Sequence, residues 1–525
     1  MADKRDGTED HISRGQNVGR ALAGAAGASA PRKNANVAET GPPVVWFDKI
    51  GRGDVGRVGG KNASLGEMIG KLGAAGIRVP PGFATTSGVY WRFLAANGLE
   101  SRIGDLLNSL AVGKATLAET GQAVRSLLLH GEWPDDVAEA ISAAYRDLCH
   151  RTGTEDVAVR SSATAEDLPD ASFAGQQETF LNIRGTSALL DACRRCFASL
   201  FTDRAITYRQ AKGYDHMAVA LSVGVQQMVR SDLGGSGVMF SIDTETGFKN
   251  AVVIDAAWGL GENVVQGAVD PDEYQVFKPL LANPALMPII GKKLGEKALK
   301  LVYAADGKPT RNLPTSKAER AAYVLQDADI LSLARWATII ETHYGCPMDM
   351  EWAKDGQTGE IYIVQARPET VQSRRDMTVF KSYVITRKGK QLTAGIAIGD
   401  AVVGGRVCLI ESARDIADFV DGSILVTGTT DPDWVPIMKR AAAIITDHGG
   451  RTSHAAIVSR ELGLPAIVGT GNATHILHSE QEITVSCAEG DQGFVYDGTA
   501  QFEVKSIDAG GLPRTRTEKI GRAHV

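Results

Sequence analysis

The feature that most constrains the fold of this chain is a glycine turn that leads into a short, well-bounded helix. Gly449 and Gly450 permit a sharp turn that exposes backbone amides, and Thr452 or Ser453 can cap the helix that follows. Four apolar residues then recur at helical spacing: Ala455, Ile457, Val458 and Leu462. Gly463 ends the predicted helix, and a proline follows shortly after it.

His454 lies on the first turn of this predicted helix. The unpaired amides and the helix dipole at that end stabilise an anion, so they would hold a phosphoryl group on the imidazole ring. A single histidine in front of a helix is more often a structural residue, and the local pattern alone leaves both interpretations open. His448 is the weaker candidate for a carrier because it lies before the turn.

The overall composition is that of a soluble globular protein. A chain of 525 residues is long enough for about three domains. Its net charge is -6, and no basic stripe indicates nucleic acid binding. No apolar run approaches the length of a membrane span, and the N-terminus lacks the apolar core of a signal peptide. We therefore expect a cytoplasmic protein that binds neither nucleic acid nor a membrane.

The six cysteines do not indicate a disulfide scaffold in a chain of this length. Cys193 and Cys196 have CxxC spacing, but they fall inside a helical apolar pattern and no second pair accompanies them. We expect both to be buried helix residues rather than metal ligands or a redox centre.

The chain is predicted to be an α/β (α+β) protein built from several units. Residues 1–43 lack periodicity and are expected to form a disordered tail. Between 44 and 370, helical patterns, the last of them over 317–344, alternate with strand-like runs over 157–160, 223–226, 251–254 and 361–364, which indicates a nucleotide-binding domain of two subdomains. Charged residues 371–394 look like a linker, and glycine-rich residues 395–506 predict a compact β/α carrier domain with His454 on an exposed loop.

Residues 507–525 are expected to begin a second linker. The final run from Ile520 to Val525 reads like the translation of a sequencing adapter rather than natural protein. We therefore expect a truncated chain whose natural sequence continues beyond Lys519.

Cations and small donor residues suggest a phosphate-binding site. Lys61 follows two glycines and precedes a helix, although the surrounding residues do not form a Walker A loop. Arg160 lies at the end of a predicted strand, and the segment that contains Gly175 and Thr179 offers a donor-rich loop able to cover a triphosphate. A surface lysine and an ordinary polar turn are the alternatives.

A carboxylate, an amide and a guanidinium are close together in the next candidate motif. Glu351 is followed, about one hairpin later, by Gln365 and Arg367. Their oxygens could bind Mg²⁺ and the guanidinium could bind phosphate. A purely structural role is equally compatible with these residues.

The run from Gly449 to Arg460 resembles, at every position, the phosphohistidine signature of the phosphoenolpyruvate-utilising enzymes. That family includes phosphoenolpyruvate synthase, pyruvate phosphate dikinase and enzyme I of the sugar phosphotransferase system. Seven further residues resemble, in order, the motifs of the ATP-grasp-type nucleotide domain of these enzymes: Lys61, Arg160, Gly175, Thr179, Glu351, Gln365 and Arg367. The resemblance extends from about Val44 to Thr517.

The resemblance implies roles for the nucleotide-binding residues. Lys61 and Arg160 would contact phosphates of ATP, and the segment from Gly175 to Thr179 would belong to the phosphate loop. Gln226 would lie in a strand next to the adenine, although Gln227 competes for that role.

The resemblance also implies a metal site and a carrier. Glu351 and Gln365 would bind Mg²⁺, Arg367 would bind the transferring phosphate, and His454 would be the phosphorylated residue. The implied reaction converts ATP, pyruvate and water into AMP, phosphoenolpyruvate and phosphate. Covalent catalysis on a swinging carrier domain divides this reaction into two steps.

In this family the pyruvate site lies in a C-terminal (β/α)₈ barrel, which we expect to be missing here. We therefore expect this chain to perform only the ATP half-reaction, and a possible homodimer is expected of the full-length enzyme. The runs that begin at Arg160 and Thr429 resemble phosphoenolpyruvate synthases more than pyruvate phosphate dikinases.

Two alternatives are a rifampin phosphotransferase-like dikinase and a non-catalytic nucleotide-binding fragment. The first needs an antibiotic-binding domain between its modules. Only about 25 residues separate Pro368 from the predicted carrier domain.

Overall fold

The computed structural model describes residues 41–164, 178–304, 308–369, 379–451 and 453–508. Residues 1–40 of the predicted tail and the segment from residue 509 onward lie outside these ranges. Within them, α-helices and β-strands alternate in a mixed α/β architecture, as the sequence predicts. No helix in the described ranges is long and apolar enough to span a membrane.

The first sheet is antiparallel and has five strands: β1 (Val44–Trp46), β2 (Gly82–Thr85), β3 (Val157–Ala163), β4 (Thr179–Ile183) and β5 (Leu221–Gln227). They are arranged in the order β1-β2-β5-β3-β4. The apolar runs of β3 and β5 occupy the middle and are almost fully buried. Both were predicted from these runs.

Seven helices accompany this sheet in the described residues: α1 (Val55–Glu67), α2 (Ser87–Ala96), α3 (Leu99–Ala111), α4 (Leu117–Leu129), α5 (Asp135–Thr152), α6 (Thr186–Ser199) and α7 (Asp203–Lys212). Cys193 and Cys196 lie in α6 and are fully buried. Burial raises the pKa of the Cys193 thiol to about 12. Both cysteines are therefore inert core residues, in agreement with the prediction.

The second sheet has six antiparallel strands: β6 (Gly235–Phe240), β7 (Ala251–Trp258), β8 (Asp272–Phe277), β9 (Ile289–Lys293), β12 (Met348–Lys354) and β13 (Ile361–Pro368). Their order is β13-β12-β6-β7-β8-β9. One face packs against α10 (Asp327–Tyr344) and is apolar. The opposite face carries charged residues because side chains alternate along each strand.

Shorter elements connect the strands of this sheet: α8 (Glu262–Val265), β10 (Leu299–Tyr303), β11 (Thr310–Pro314) and α9 (Lys317–Ala321). The sequence pattern predicted one helix over 317–344, but α9 and α10 are separate. Capping boxes explain the break, because Ser316 with Glu319 starts the first helix and Gln326 with Asp329 starts the second.

A closed barrel follows, with seven strands: β15 (Gln391–Ile398), β16 (Val402–Leu409), β17 (Ile424–Thr427), β18 (Ala443–Thr446), β19 (Ala466–Val468), β20 (Glu482–Ser486) and β21 (Gln492–Asp497). Its short helices are α11 (Val435–Met438), α12 (His454–Leu462) and α13 (Ala473–Ile476). The strands from β16 to β19 are parallel. Each parallel pair therefore needs a crossover, and α12 lies in the crossover between β18 and β19.

The segment 371–394 is more regular than the predicted linker. Within it lies β14 (Val379–Arg387), which pairs in an antiparallel ribbon with β22 (Gln501–Asp508). The charged local sequence gave no sign of this strand because its partner lies more than 100 residues further along the chain.

The hydrophobic clusters of the described residues divide into two sets. One core cluster contains residues of the five-stranded sheet region together with residues of the six-stranded sheet. The two barrel clusters contain barrel residues alone. The two sheets therefore share a core, whereas the barrel contacts them without sharing one.

Candidate functional site

A cavity of about 1130 Å³ is enclosed by the two sheets and the barrel. Most of the site residues predicted from the sequence line it: Arg160, Thr179, Gln226, Glu351, Arg367 and His454. These residues come from chain positions nearly 300 residues apart, so only the tertiary fold brings them together. A cavity of this size and composition is suitable for a small polar ligand.

Arg160 spans the gap between the two sheets. It lies on β3, its Nη1 donates to the Val364 carbonyl at 2.8 Å, and its Nη2 is 2.6 Å from Glu351 Oε2. The guanidinium and the carboxylate are both mostly buried. A charge-assisted contact of this kind fixes the guanidinium at the cavity wall, where its remaining donors can meet an anion.

Two pairs of opposed side chains lie on the charged face of the six-stranded sheet. Glu351 on β12 is directly opposite Gln365 on β13, and Asp349 is opposite Arg367. Arg367 donates from Nε at 2.9 Å and from Nη2 at 2.7 Å to Asp349 Oδ2. Burial raises the pKa of the Asp349 carboxyl, while Arg367 acts in the opposite direction.

Gln365 is buried beside Glu351 but does not line the cavity itself. Its register position nevertheless places it on the same face as Glu351. No cluster of three or more potential metal-binding side chains occurs among the residues that the structure describes. The oxygen donors of Glu351 and Gln365 fit a hard cation that completes its coordination with phosphate oxygens and water.

Lys61 lies next to β3 and does not line the cavity. Its Nζ donates to the Ser161 carbonyl on β3 at 3.4 Å. The helix is kinked just before it at Gly59, where φ is +75° and an added Cβ would lie 2.2 Å from Ser162 Oγ. The glycine thus brings α1 close enough to β3 for Lys61 to reach the strand end.

The remaining nucleotide-site predictions are only partly described by the structure. Thr179 begins β4 opposite Arg160, and it faces the cavity. Gly175 lies outside the described residues. Gln226 and Gln227 both line the cavity at the end of β5, and Gln226 donates to the Pro80 carbonyl at 3.3 Å. The choice between these two glutamines therefore stays open.

His454 is the first residue of α12 and faces the cavity. Ser453 is the N-cap residue, and its Oγ accepts a hydrogen bond from the Ala456 amide at 3.3 Å. Gly463 ends the helix with φ at +68°. Start, cap and end all agree with the prediction, but His454 is a half-buried helix residue rather than part of an exposed loop. Thr452, the other candidate cap, lies outside the described residues.

The environment of His454 keeps its imidazole neutral. Burial lowers the pKa of His454, Asp431 raises it and Arg204 lowers it, and together they leave the pKa at about 4. Nδ1 is 3.0 Å from Thr430 Oγ1. If Nδ1–H donates to this hydroxyl, Nε2 keeps a free lone pair for attack on an electrophile.

Salt bridges connect the barrel to the charged face of the six-stranded sheet. Arg451 Nη1 is 3.4 Å from Glu245 Oε1, and Arg451 Nε is 3.7 Å from Glu273 Oε2. The Arg460 guanidinium also contacts Glu245. Burial and Glu273 raise the pKa of neighbouring Asp255 to about 8. We call these contacts, together with those of α12, the barrel interface.

Four residues at the site were not predicted from the sequence: Arg204, Asp349, Thr430 and Asp431. Asp349 and Glu351 are two positions apart, as are Gln365 and Arg367. Because side chains alternate along a strand, this spacing could have indicated that the two members of each pair share a face. Thr430 and Asp431 lie within the run that resembles phosphoenolpyruvate synthases. Nothing in the local sequence distinguishes Arg204 from other helix arginines.

Two family models match this chain. The model described as pyruvate phosphate dikinase, AMP/ATP-binding domain, matches residues 55–384. The model described as PEP-utilising enzyme, mobile domain, matches residues 419–490 and includes His454. The first covers both sheets except β1, and the second covers four of the seven barrel strands, from β17 to β20.

Curated relatives agree with the family resemblance seen in the sequence. Phosphoenolpyruvate synthase of Synechocystis sp. is 54% identical over 489 residues, which cover 90% of this chain and 60% of the relative. Phosphoenolpyruvate synthases of Pseudomonas aeruginosa and Aquifex aeolicus are 52% and 50% identical, and 60% and 57% of their lengths are covered. The chain thus spans about 60% of the length of the curated relatives that it matches.

Proposed function

Because this chain belongs to the pyruvate phosphate dikinase AMP/ATP-binding domain family, we propose that it transfers a phosphoryl group from ATP to His454 as the first half of a phosphoenolpyruvate synthase reaction. The supporting observation is that His454 lines the same cavity as Arg160, Glu351 and Arg367. A neutral imidazole thus faces the groups best suited to hold a polyphosphate.

The two sets of hydrophobic clusters correspond to the two proposed domains, one that binds the nucleotide and one that carries the phosphoryl group. The two sheets, over residues 44–370, form an ATP-grasp-type nucleotide domain. Residues 395–506 form a carrier domain that swivels between sites, connected by the segment 371–394. The absence of a shared apolar core between barrel and sheets among the described residues supports movement of the carrier.

In the proposed step, His454 Nε2 attacks the β-phosphorus of ATP. A P–N bond forms, the bond from the bridging oxygen to the β-phosphorus breaks, and AMP leaves with that oxygen. The β- and γ-phosphoryl groups stay on the imidazole until water removes the terminal one as phosphate. Thr430 Oγ1 accepts a hydrogen bond from Nδ1–H and orients the ring throughout.

Arg160 and Arg367 bind the phosphates and stabilise negative charge that develops during transfer. Lys61 and Thr179 assist at the strand ends, and the loop containing Gly175 completes the proposed phosphate site. Gln226 contacts the adenine. Glu351 and Gln365 are the proposed ligands of Mg²⁺, which when bound would neutralise phosphate charge.

The second half-reaction transfers the remaining phosphoryl group to pyruvate at a separate site, giving phosphoenolpyruvate. We propose that the described residues carry out the ATP half-reaction only. ATP and pyruvate are both cytoplasmic metabolites, so the proposed reaction belongs in the cytoplasm.

Incubation with [β-³²P]ATP and Mg²⁺ tests this function. The wild-type chain should acquire an acid-labile, alkali-stable label, as expected of a phosphohistidine. His454→Ala should lose it while still binding ATP. His475→Ala is a matched control, because His475 is an exposed barrel histidine outside the cavity.

Three outcomes would count against the proposal. An unlabelled wild-type chain that binds ATP would favour a non-catalytic nucleotide-binding protein. Labelling that persists in His454→Ala and disappears in His448→Ala would move the carrier role to His448. Phosphoenolpyruvate formed from this chain and pyruvate would refute the restriction to the ATP half-reaction.

A further inference from the structure

Gly267 follows α8 in the six-stranded sheet region and has no counterpart among the predicted site residues. Its φ is +65°, and its amide donates to the Val264 carbonyl at 3.1 Å. The next amide, that of Ala268, donates to the Asn263 carbonyl at 2.8 Å. A left-handed residue at the end of a helix is a common reason for glycine, and it accounts for the sign of φ.

The space around Gly267 adds a second constraint that the helix end does not explain. A Cβ built on Gly267 would lie 2.1 Å from Ser453 Cα, 2.6 Å from Ser453 Cβ and 2.8 Å from Ser453 N. Ordinary Cβ contacts begin at 3.4 Å. Gly267 therefore touches the backbone of the residue that caps the helix bearing His454.

Neighbouring residues extend the contact between Gly267 and Ser453. A Cβ on Gly450, in the glycine turn, would lie 3.8–4.0 Å from atoms of Val269, Asp270 and Pro271. Arg451 also reaches Glu273 on β8. The segment from Gly267 to Pro271 thus meets the turn from Gly449 to Ser453 along its length, with Gly267 at the tightest point.

We propose that the turn from Gly449 to Ser453, which precedes His454 in the carrier, docks against Gly267 for the ATP half-reaction. The proposal rests on the proposed function, since it assigns a position to His454 during phosphorylation. Only a residue without a side chain lets Ser453 approach closely enough to bring His454 to the cavity. Gly267 is a positioning residue, because it acts on the phosphoryl donor only through the placement of His454.

A larger residue at this position is expected to displace the carrier rather than unfold the protein. The end of α8 is firmly held, since Val264 is fully buried against Val238 and Val269, and Asn263 Nδ2 donates to Asn312 Oδ1 at 2.7 Å. The barrel shares no hydrophobic cluster with this region in the described part of the chain. Separation at the barrel interface is therefore the easier response to the clash.

The test compares Gly267→Ala and Gly267→Val with Gly153→Ala. Gly153 is also a helix-ending glycine, with φ at +71°, but an added Cβ there meets nothing within 4 Å. Backbone strain is therefore matched and only the contact with Ser453 differs. Each variant is assayed for thermal stability, ATP affinity, and the maximal rate of His454 labelling in rapid-quench experiments with [β-³²P]ATP.

We expect Gly267→Ala to lower the maximal labelling rate about 100-fold, because a displacement of roughly 1 Å at a reacting group has that effect. Gly267→Val should lower it further. The half-saturating ATP concentration should stay unchanged, and the shift in melting temperature of Gly267→Ala should match that of Gly153→Ala, which labels at the wild-type rate.

Two results would overturn the inference. Wild-type labelling of Gly267→Ala would show that the carrier docks elsewhere, and a rise in half-saturating ATP at unchanged maximal rate would assign Gly267 to the nucleotide instead. Failure of the proposed function is distinguishable, because the wild-type chain would then give no labelled His454 at any ATP concentration.

Discussion

Two interfaces meet at the cavity, and they are built in different ways. The interface between the two sheets contains a continuous apolar core and buried hydrogen bonds, such as Ser64 Oγ to the Ala366 carbonyl at 2.8 Å. The barrel interface consists of salt bridges and of backbone packed against glycine. One surface resembles the interior of a domain, and the other resembles a transient complex.

The difference supports a site in which the sheet residues are fixed and His454 is brought to them by movement of the barrel. The described residues proposed to hold ATP lie on elements of the two sheet regions that share this core, so we expect them to keep their relative positions. His454 belongs to the barrel, whose described contacts with the sheets include salt bridges and glycine packing but no shared hydrophobic cluster. Reversibility is a requirement for a carrier, since tight apolar burial would oppose its departure.

The largest expected effect comes from the fixed interface. Arg160→Met removes both the guanidinium proposed to bind phosphate and the link to Glu351, and should slow His454 labelling about 10²–10³-fold. Arg160→Lys should recover only part of this loss, because an ammonium lacks the fork that contacts Val364 and Glu351 together. Rapid-quench labelling gives the rates.

The control is Arg146→Met, which removes an exposed arginine paired with Glu139 on α5. It should leave labelling unchanged. If Arg160→Met labels as fast as Arg146→Met, Arg160 has a purely structural role at the sheet interface.

The next effect concerns the proposed metal ligands. Glu351→Gln keeps a hydrogen-bonding group toward Arg160 but removes the charge that would attract Mg²⁺. The Mg²⁺ concentration for half-maximal labelling should rise about 10–100-fold. Glu360→Gln, on the exposed start of the same strand pair, should leave the titration where it was. Identical titrations for the two variants would contradict a metal role for Glu351.

The pH dependence of the labelling rate tests whether His454 is buried at the barrel interface when it reacts. Burial lowers the pKa of docked His454 from 6.5 to about 4. Between about pH 4 and 6.5 the docked imidazole is therefore neutral, whereas an exposed imidazole is protonated. Docking is therefore fully favourable above about pH 6.5 and weakens progressively as the pH falls toward 4.

The labelling rate should be flat from about pH 7 to 8 and fall about tenfold one unit below the ordinary histidine pKa. Measurement at saturating ATP separates this effect from nucleotide binding. A rate that is constant down to about pH 5 would mean that His454 remains docked throughout.

The smallest effect is expected at the salt bridges of the barrel interface. Glu245→Gln removes the carboxylate that contacts both Arg451 and Arg460. Loss of about 1 kcal/mol of docking energy corresponds to a labelling rate roughly fivefold lower. Wild-type labelling should also decrease with added salt, and the variant should respond less.

Glu139→Gln on the surface of α5 provides the matched control for a lost carboxylate. Equal salt dependence of the Glu245 and Glu139 variants would show that these salt bridges do not contribute to docking.

The sequence predicted local features better than contacts. The cap at Ser453, the start of α12 at His454 and its end at Gly463 follow from short-range rules and agree with the structure. The buried strands β3, β5, β7 and β13 were likewise visible as apolar runs. These features depend on a few neighbouring residues.

What escaped prediction depends on residues far apart in the chain. Thr430 lies 24 positions from His454, and Glu245 lies 215 positions from its partner Arg460. The contact of Gly267 with Ser453 can be seen only in the tertiary structure. The strand β14 likewise becomes recognisable only through its pairing with β22.

The ribbon of β14 and β22 has a consequence for how this architecture can be modified. Val379 and Asp508 are register partners at its far end, so the chain enters and leaves the barrel at points only about 5 Å apart. A module whose two ends coincide can be inserted, removed or exchanged without stretching its host. The barrel with its ribbon is in this sense an exchangeable module, and residues 379–508 expressed alone should form a self-contained protein with His454 on its surface.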